Sequence, residues 1–237
     1  MNASAEPQDL GRQMAKLARE FYRPSSLADT LRGVTTAAVE LVPDADCADV
    51  LVVTGRRKVE SYAATSTLPE ELDAVQEKLG EGPCLDAAYK NLIVRTDDLR
   101  TETRWPRFSR EAVQAGVLST LSFQLYVEKD SMGALNLFSF KPNAFDTDAE
   151  AITEVLAAQA AMALSAARDH QNFSSALASR DIIGQAKGMI MERFGVDSVR
   201  AFELLRKLSQ DSNIALAEVA SRIVEAGPAQ LGGDPSA

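Results

Sequence analysis

The sequence predicts an α+β fold in which helices flank an antiparallel sheet, followed by a long helix and an all-α three-helix unit. Two pairs of strand-like runs, each joined by a short glycine or polar turn, predict the sheet. Helical spacing of apolar residues before, between and after those pairs supplies the flanking layers. From Asp148 onward the strands cease and the pattern is helical.

Leu10, Met14, Leu17 and Phe21 fall at i, i+4, i+7 and i+11, one face of an N-terminal helix within residues 1–23 that Pro24 interrupts. Leu27, Leu31, Val34, Ala38 and Leu41 mark a second helix that ends before Pro43. Cys47–Thr54 and Arg57–Ala64 read as strands joined at Gly55, a hairpin. A helix near Leu68–Lys78 follows, then Gly80-Glu81-Gly82-Pro83-Cys84, read as a tight loop. Leu121, Phe123, Leu125 and Val127 alternate with Ser122, Gln124, Tyr126 and Glu128, which predicts a half-buried strand. The turn Lys129-Asp130-Ser131 leads into a partner strand, Gly133–Phe140. Thr147 or Asp148 can cap a long Ala-rich helix to about Ala178, with Ile152, Val155, Leu156, Ala160, Ala163 and Ala167 on or near one face. Its far half either packs within its own chain or continues as a dimer coil. Three short helices close the chain: Arg180–Phe194, one from Asp197 or Ser198 to about Gln210, and one capped by Asp211-Ser212-Asn213 that runs to about Ala226.

Hydrophobic residues make up 46% and charged residues 25% of the 237 residues, which excludes a disordered or collagen-like chain. No apolar run is long enough to span a bilayer and no signal-type N-terminus is evident, so the chain reads as cytoplasmic, without a membrane partner. With one histidine, His170, and two cysteines, Cys47 and Cys84, no zinc site of ordinary ligand count can be assembled without carboxylates. His170 sits in the charged stretch Arg168-Asp169-His170-Gln171 with no nucleophile signature beside it. Phosphate-loop and dinucleotide fingerprints are missing. The chain therefore reads as non-enzymatic, with no cofactor or metal. The two thiols read as buried rather than as a disulfide.

The net charge of −9 argues against a globally basic nucleic-acid binder, but it is unevenly placed. Residues 1–173 hold 18 basic against 26 acidic side chains, whereas residues 174–226 hold 7 of each. Within the latter, Arg180, Gly184, Lys187 and Met191 form a stripe opposite an apolar face of Ile182, Ile183, Ala186, Met189 and Ile190. A helical glycine costs on the order of 1 kcal/mol relative to Ala, so Gly184 and Gly188 point to something large that approaches the backbone. A partner helix or a polyanion backbone satisfies that reading; the residues alone favour the helix. Cys84 reads first as a small buried hydrophobe, and Trp105 as a core anchor or the wall of a ligand pocket.

Two stretches resemble known families. GEGPCLDAA, DLRTETRWPRF, STLSFQLY, GALNLFSFKPNAF and the closing Ala-rich helix resemble a bacterial GAF sensor domain over residues 24–170, its closing helix 148–178 continuing as a linker. ALASRDIIGQAKGMIMERFGVD, AFELLRKLSQDSN and LAEVASRIV resemble an ANTAR domain over residues 174–226, which leaves a loose tail at 227–237. The resemblance implies a dimeric regulator that binds paired stem-loops in nascent mRNA, prevents termination, and is controlled by a small-molecule or protein signal at the sensor. The residues it implicates in RNA contact are Arg180, Gln185, Lys187, Arg193, Arg206, Lys207 and Asn213. Cys84 and Trp105 are the candidates for the sensor's ligand.

Two departures stand out. Ser209 replaces the family's usual Ala, and Ile214-Ala215 stand where basic residues often follow the Asn. The alternatives are a protein-interaction and dimerisation module that no longer binds RNA, and a methionine sulfoxide reductase of GAF type using Cys84, for which Cys47 would have to serve as the resolving thiol.

Overall fold

In a computed structural model of the protein, which describes residues 26–54, 58–125 and 131–227, helix α1 (Leu27–Leu41) opens at Ser26, whose Oγ accepts from the Asp29 backbone N–H at 3.1 Å. The N-terminal helix expected within residues 1–23, the turns at Gly55 and Lys129-Asp130, and the tail beyond Gly227 lie outside the described residues.

Five strands form one antiparallel sheet in the order β2-β1-β5-β4-β3. They are β1 (Cys47–Thr54), β2 (Lys58–Tyr62), β3 (Ile93–Thr96), β4 (Ser119–Leu125) and β5 (Ser131–Ser139). On one face Val50, Val52, Leu121, Phe123, Leu125, Leu135 and Leu137 pack against α1 and the start of α5 (Thr147–Phe194). The other face is covered by α2 (Thr67–Leu79), α3 (Pro83–Tyr89) and α4 (Pro106–Gln114), with Trp105 and Phe108 in its core.

Strand β4 is thus buried on both sides rather than half-buried. Its polar residues lie beneath α3: Ser122 donates to Cys84 Sγ at 3.8 Å, and the Gln124 amide donates to the Ala88 carbonyl at 3.0 Å. The expected loop at residues 80–84 is also corrected. Gly80 caps α2 and Pro83 and Cys84 begin α3. Gly82 has φ +149°, and a Cβ there would stand 2.2 Å from Gln76 Oε1, which accepts from the Cys84 N–H.

Helix α4 has no side-chain cap of its own. Glu81 Oε1 reaches across to accept from the backbone N–H groups of Arg107 and Phe108 at 2.7 and 3.1 Å. The two motifs GEGPC and RWPRF are therefore halves of one contact.

A buried polar row crosses three strands at Asp49, Asn136 and Ser122, which are register partners. Asp49 accepts from Asn136 Nδ2 at 3.1 Å and from Ser61 Oγ at 2.9 Å. Asp73 of α2 lies over it, bonded to Gln76 Nε2 at 3.3 Å, and its Oδ2 meets no other donor. Facing the Asp49 carboxylate, Asp73 completes a hydrogen bond only by carrying a proton itself. Burial and then the Asp49 charge push its carboxyl well above the ordinary range.

The long helix opens at Asp146, not Thr147 or Asp148: Asp146 Oδ1 accepts from the Asp148 and Ala149 N–H groups at 3.1 and 2.9 Å. Arg95 of β3 binds Glu150 at 2.6 Å. Ile152, Leu156, Ala160 and Leu164 face the sheet, whereas Val155, expected on or near that face, is 47% exposed. The sequence reading ends a helix near Ala178 and begins another at Arg180; the structure shows 48 continuous helical residues. Nothing in Ala178-Ser179-Arg180 breaks the hydrogen-bond ladder. By contact density the chain divides at 167/168.

The Asp73 proton has a pH signature. A carboxyl with a raised folded-state pKa holds a proton that the unfolded chain releases, so its contribution to stability is lost as pH rises from about 4 toward the raised value. Asp73→Asn keeps a donor toward Asp49 and removes the titration. Its unfolding free energy, from chemical denaturation, should gain on that of wild type as pH increases through that window. A difference that stays constant with pH would show that Asp73 is not protonated in the fold.

Candidate nucleic-acid interface

Residues 168–227 form a small unit whose core is Ala186, Ile190, Ala201, Leu205, Val219 and Ala220. The last part of α5 contributes the first two, α6 (Ser198–Ser212) the next two, and α7 (Leu216–Ala226) the final pair. Alanines at three of these six positions, one on each helix, let the helix backbones approach closely. Gly195, with φ +60°, ends α5, and Asp197 then caps α6 by accepting from the N–H groups of Val199 and Arg200 at 3.0 and 2.8 Å.

Met191, expected on the outward stripe, packs against this core, while Met189 is not part of it. Asn213 does not cap α7. It is the left-handed C-cap of α6, with φ 53°, a conformation that asparagine tolerates better than most residues. Ser209 Oγ donates to the Ile214 carbonyl at 2.5 Å, fastening the α6–α7 turn, so its hydroxyl is structural rather than a neutral replacement. Ile214 is itself half-buried in the core, which explains an apolar residue at this position.

All seven residues implicated in RNA contact reach the surface, with Lys187 half-buried along its stem. The structure brings only some of them together. Arg180, Gly184 and Lys187 line one side of an open groove of about 600 Å³, with Ser179 and Ile183; Phe202 of α6 lines the other. Phe202 is 41% exposed. Gln185 lies roughly 200° around α5 from Lys187, and Arg193 roughly 120°, so neither joins this face. Arg206 follows Phe202 by one turn on the same side of α6, with Lys207 beside it. A Cβ added at Gly184 or Gly188 would meet nothing within 4 Å. No packing within the chain accounts for either glycine among the described residues.

Ion pairing is denser in the first unit, although Lys78 and Arg110 there also have no carboxylate partner among the described residues. Arg32, Lys90, Arg100, Arg104, Arg107 and Lys141 of the first unit are bound to carboxylates. In the second, Arg200 and Arg222 are paired to Glu203 and Glu218. Arg180, Lys187, Arg206 and Lys207 have no carboxylate partner among the described residues.

Cys84 and Trp105 share the core beneath the sheet and are both buried. Trp105 Nε1 donates to Asp86 at 3.0 Å, and the Arg104 guanidinium stacks 4.3 Å from its ring centre. Burial, then Asp73 and Asp49, push the Cys84 thiol well above its ordinary value, and burial pushes Cys47 up to about 11. Both thiols are free, and burial of this kind disfavours the thiolate of each. Among the described residues no cluster suited to a metal ion occurs, and no helix is long and apolar enough to cross a membrane.

Residues 24–165 match the GAF domain family and residues 171–224 the ANTAR domain family. No curated protein sequence matches the chain. Among solved structures, the GAF domain from Acinetobacter phosphoenolpyruvate-protein phosphotransferase is similar at 16% identity and a TM-score of 0.51, over 67% of this chain and 93% of that one. The GAF domain of a phosphoenolpyruvate-protein phosphotransferase from Coxiella burnetii is similar at 15% identity and 0.52, over 70% and 98%. Escherichia coli SdiA is similar at 14% identity and 0.57, over 94% and 100%. At such identities the likeness is one of fold.

The left-handed cap gives a direct check on Asn213. Asn213→Gly should preserve stability, whereas Asn213→Val should cost about 1–2 kcal/mol, measured by chemical denaturation. Equal stability of the two variants would mean that the α6 C-terminus does not hold this conformation.

Proposed function

Because the chain belongs to the GAF domain family over residues 24–165 and carries an ANTAR domain at residues 171–224, we propose that it is a signal-responsive antiterminator that binds stem-loops in nascent mRNA. Both are regulatory domains, GAF a sensory one and ANTAR one of RNA-binding antitermination regulators. The observation that carries the finer reading is the set of cations without carboxylate partners, Arg180, Lys187, Arg206 and Lys207, on a unit whose 7 basic and 7 acidic side chains over residues 174–226 balance overall. Exposed guanidinium and ammonium groups without carboxylates are available to phosphate oxygens, and neutralising phosphates releases counterions. Gly184 and Gly188 leave the helix surface between them open to a close approach.

In this reading the active species is a homodimer. In the first unit α5 leaves Val155 and Met162 outward, and in the second it leaves Phe173 and Leu177. Four large apolar side chains on one helix are the feature that a second copy would cover. The signal acts on the sensor near Cys84 and Trp105. Both are buried, so a ligand reaches them only by displacing α3 or α4, and it shifts the equilibrium only if it binds two conformations unequally.

The alternative, an interaction module without RNA affinity, draws its support from Ile214-Ala215, which offer no phosphate contact. Capture of transcripts on the purified full chain at two salt concentrations, followed by sequencing, separates the readings. Enriched stem-loops that are lost as salt rises support the antiterminator. Absence of enrichment at both concentrations contradicts it.

Substitution of Met162 and Phe173 by Glu should convert the dimer to monomer in light scattering without loss of helicity. A dimer that survives both changes would place the interface elsewhere.

A further inference from the structure

Phe202 has no role in the core of its own unit. Its neighbours Ala201 and Leu205 are buried in that core, while its ring stands 41% exposed across the groove from α5. On the opposite wall Gly184 has no side chain and Ser179 only a small one, with Ile183 between the two cations Arg180 and Lys187. Arg180 and Lys187 stand seven residues apart on that wall, about 10 Å along the helix axis. Among the described residues no carboxylate lines the groove.

We propose that Phe202 is the platform on which one unpaired base of the RNA loop stacks, with the flanking phosphates held by Arg180 and Lys187. This rests on the RNA-binding reading and deepens it, since it names the part of the RNA that is read. A duplex keeps its bases stacked on one another, whereas loop bases splay out and lie on aromatic rings. Stacking on an exposed ring is tolerant of base identity because every base has a π-face. Selectivity at this position is therefore for an unpaired nucleotide rather than for a particular one.

A protein helix is a poorer occupant. It would cover Arg180 and Lys187 where the groove offers no carboxylate to pair them, and a buried unpaired charge is costly. A single RNA strand brings anionic oxygens for both cations and a flat apolar face for the ring between them.

The test uses RNA hairpins with a fixed stem and a randomised loop, selected on the full-length wild-type chain and then remade with 2-aminopurine at each loop position in turn. Binding should quench the fluorophore at one position. Phe202→Leu should abolish that quenching and weaken binding roughly tenfold or more, while Phe202→Trp retains both. Circular dichroism on each variant checks that the helices persist. If Phe202→Leu binds and quenches as wild type does, the inference falls and the RNA-binding reading stands. Loss of dimer on Phe202→Leu with quenching unchanged assigns the groove to a second copy and overturns it. Failure of the wild-type chain to retain any hairpin removes the reading and the inference together.

Discussion

Helix α5 supplies a wall to each of two hydrophobic cores, and that double commitment constrains everything else along it. In its first part Ile152, Leu156, Ala160 and Leu164 are taken by the sheet; in its last part Ala186 and Ile190 are taken by α6 and α7. Each packing uses one face and leaves the opposite one outward. In the sensor unit the outward residues include Val155 and Met162, and in the ANTAR unit they include Arg180, Gly184 and Lys187. The positions available for partners follow from the positions that the cores consume. Ala at 160 and 186 also sets how close the neighbouring elements come, since larger side chains there would force the backbones apart.

Much of the fold was legible because its signals are local. The alternation of Leu121, Phe123 and Leu125 announced β4, and Pro43 marked a helix end. What was illegible depends on contacts between distant segments. Alternation cannot show that Ser122 and Gln124 lie under another helix, so β4 read as half-buried. Helix α4 is capped by Glu81, some 25 residues upstream, and no window around RWPRF contains that information. The Asp49 charge that, after burial, pushes the Asp73 carboxyl above its ordinary range likewise acts between a strand and a helix.

The interface was half legible for the same reason. Spacing along one helix put Arg180, Gly184 and Lys187 on a single stripe, and the structure keeps them together in one groove. The same spacing could not show that Phe202 comes from α6 to form the other wall. Its exposure is what marks it as available. Gln185 and Arg193 fit the composition of an RNA-binding helix, yet they point away from that groove. Asn213 and Ser209 carry structural duties at the α6–α7 turn that explain their presence without any ligand.

The most direct test of the central claim is the salt dependence of binding to one captured stem-loop, compared between the wild-type chain and Lys187→Glu. If Lys187 neutralises a phosphate, the variant binds more weakly and its log–log salt slope becomes shallower by about 1. An unchanged affinity and slope, with helicity intact, would show that the open cationic stripe on α5 does not meet RNA.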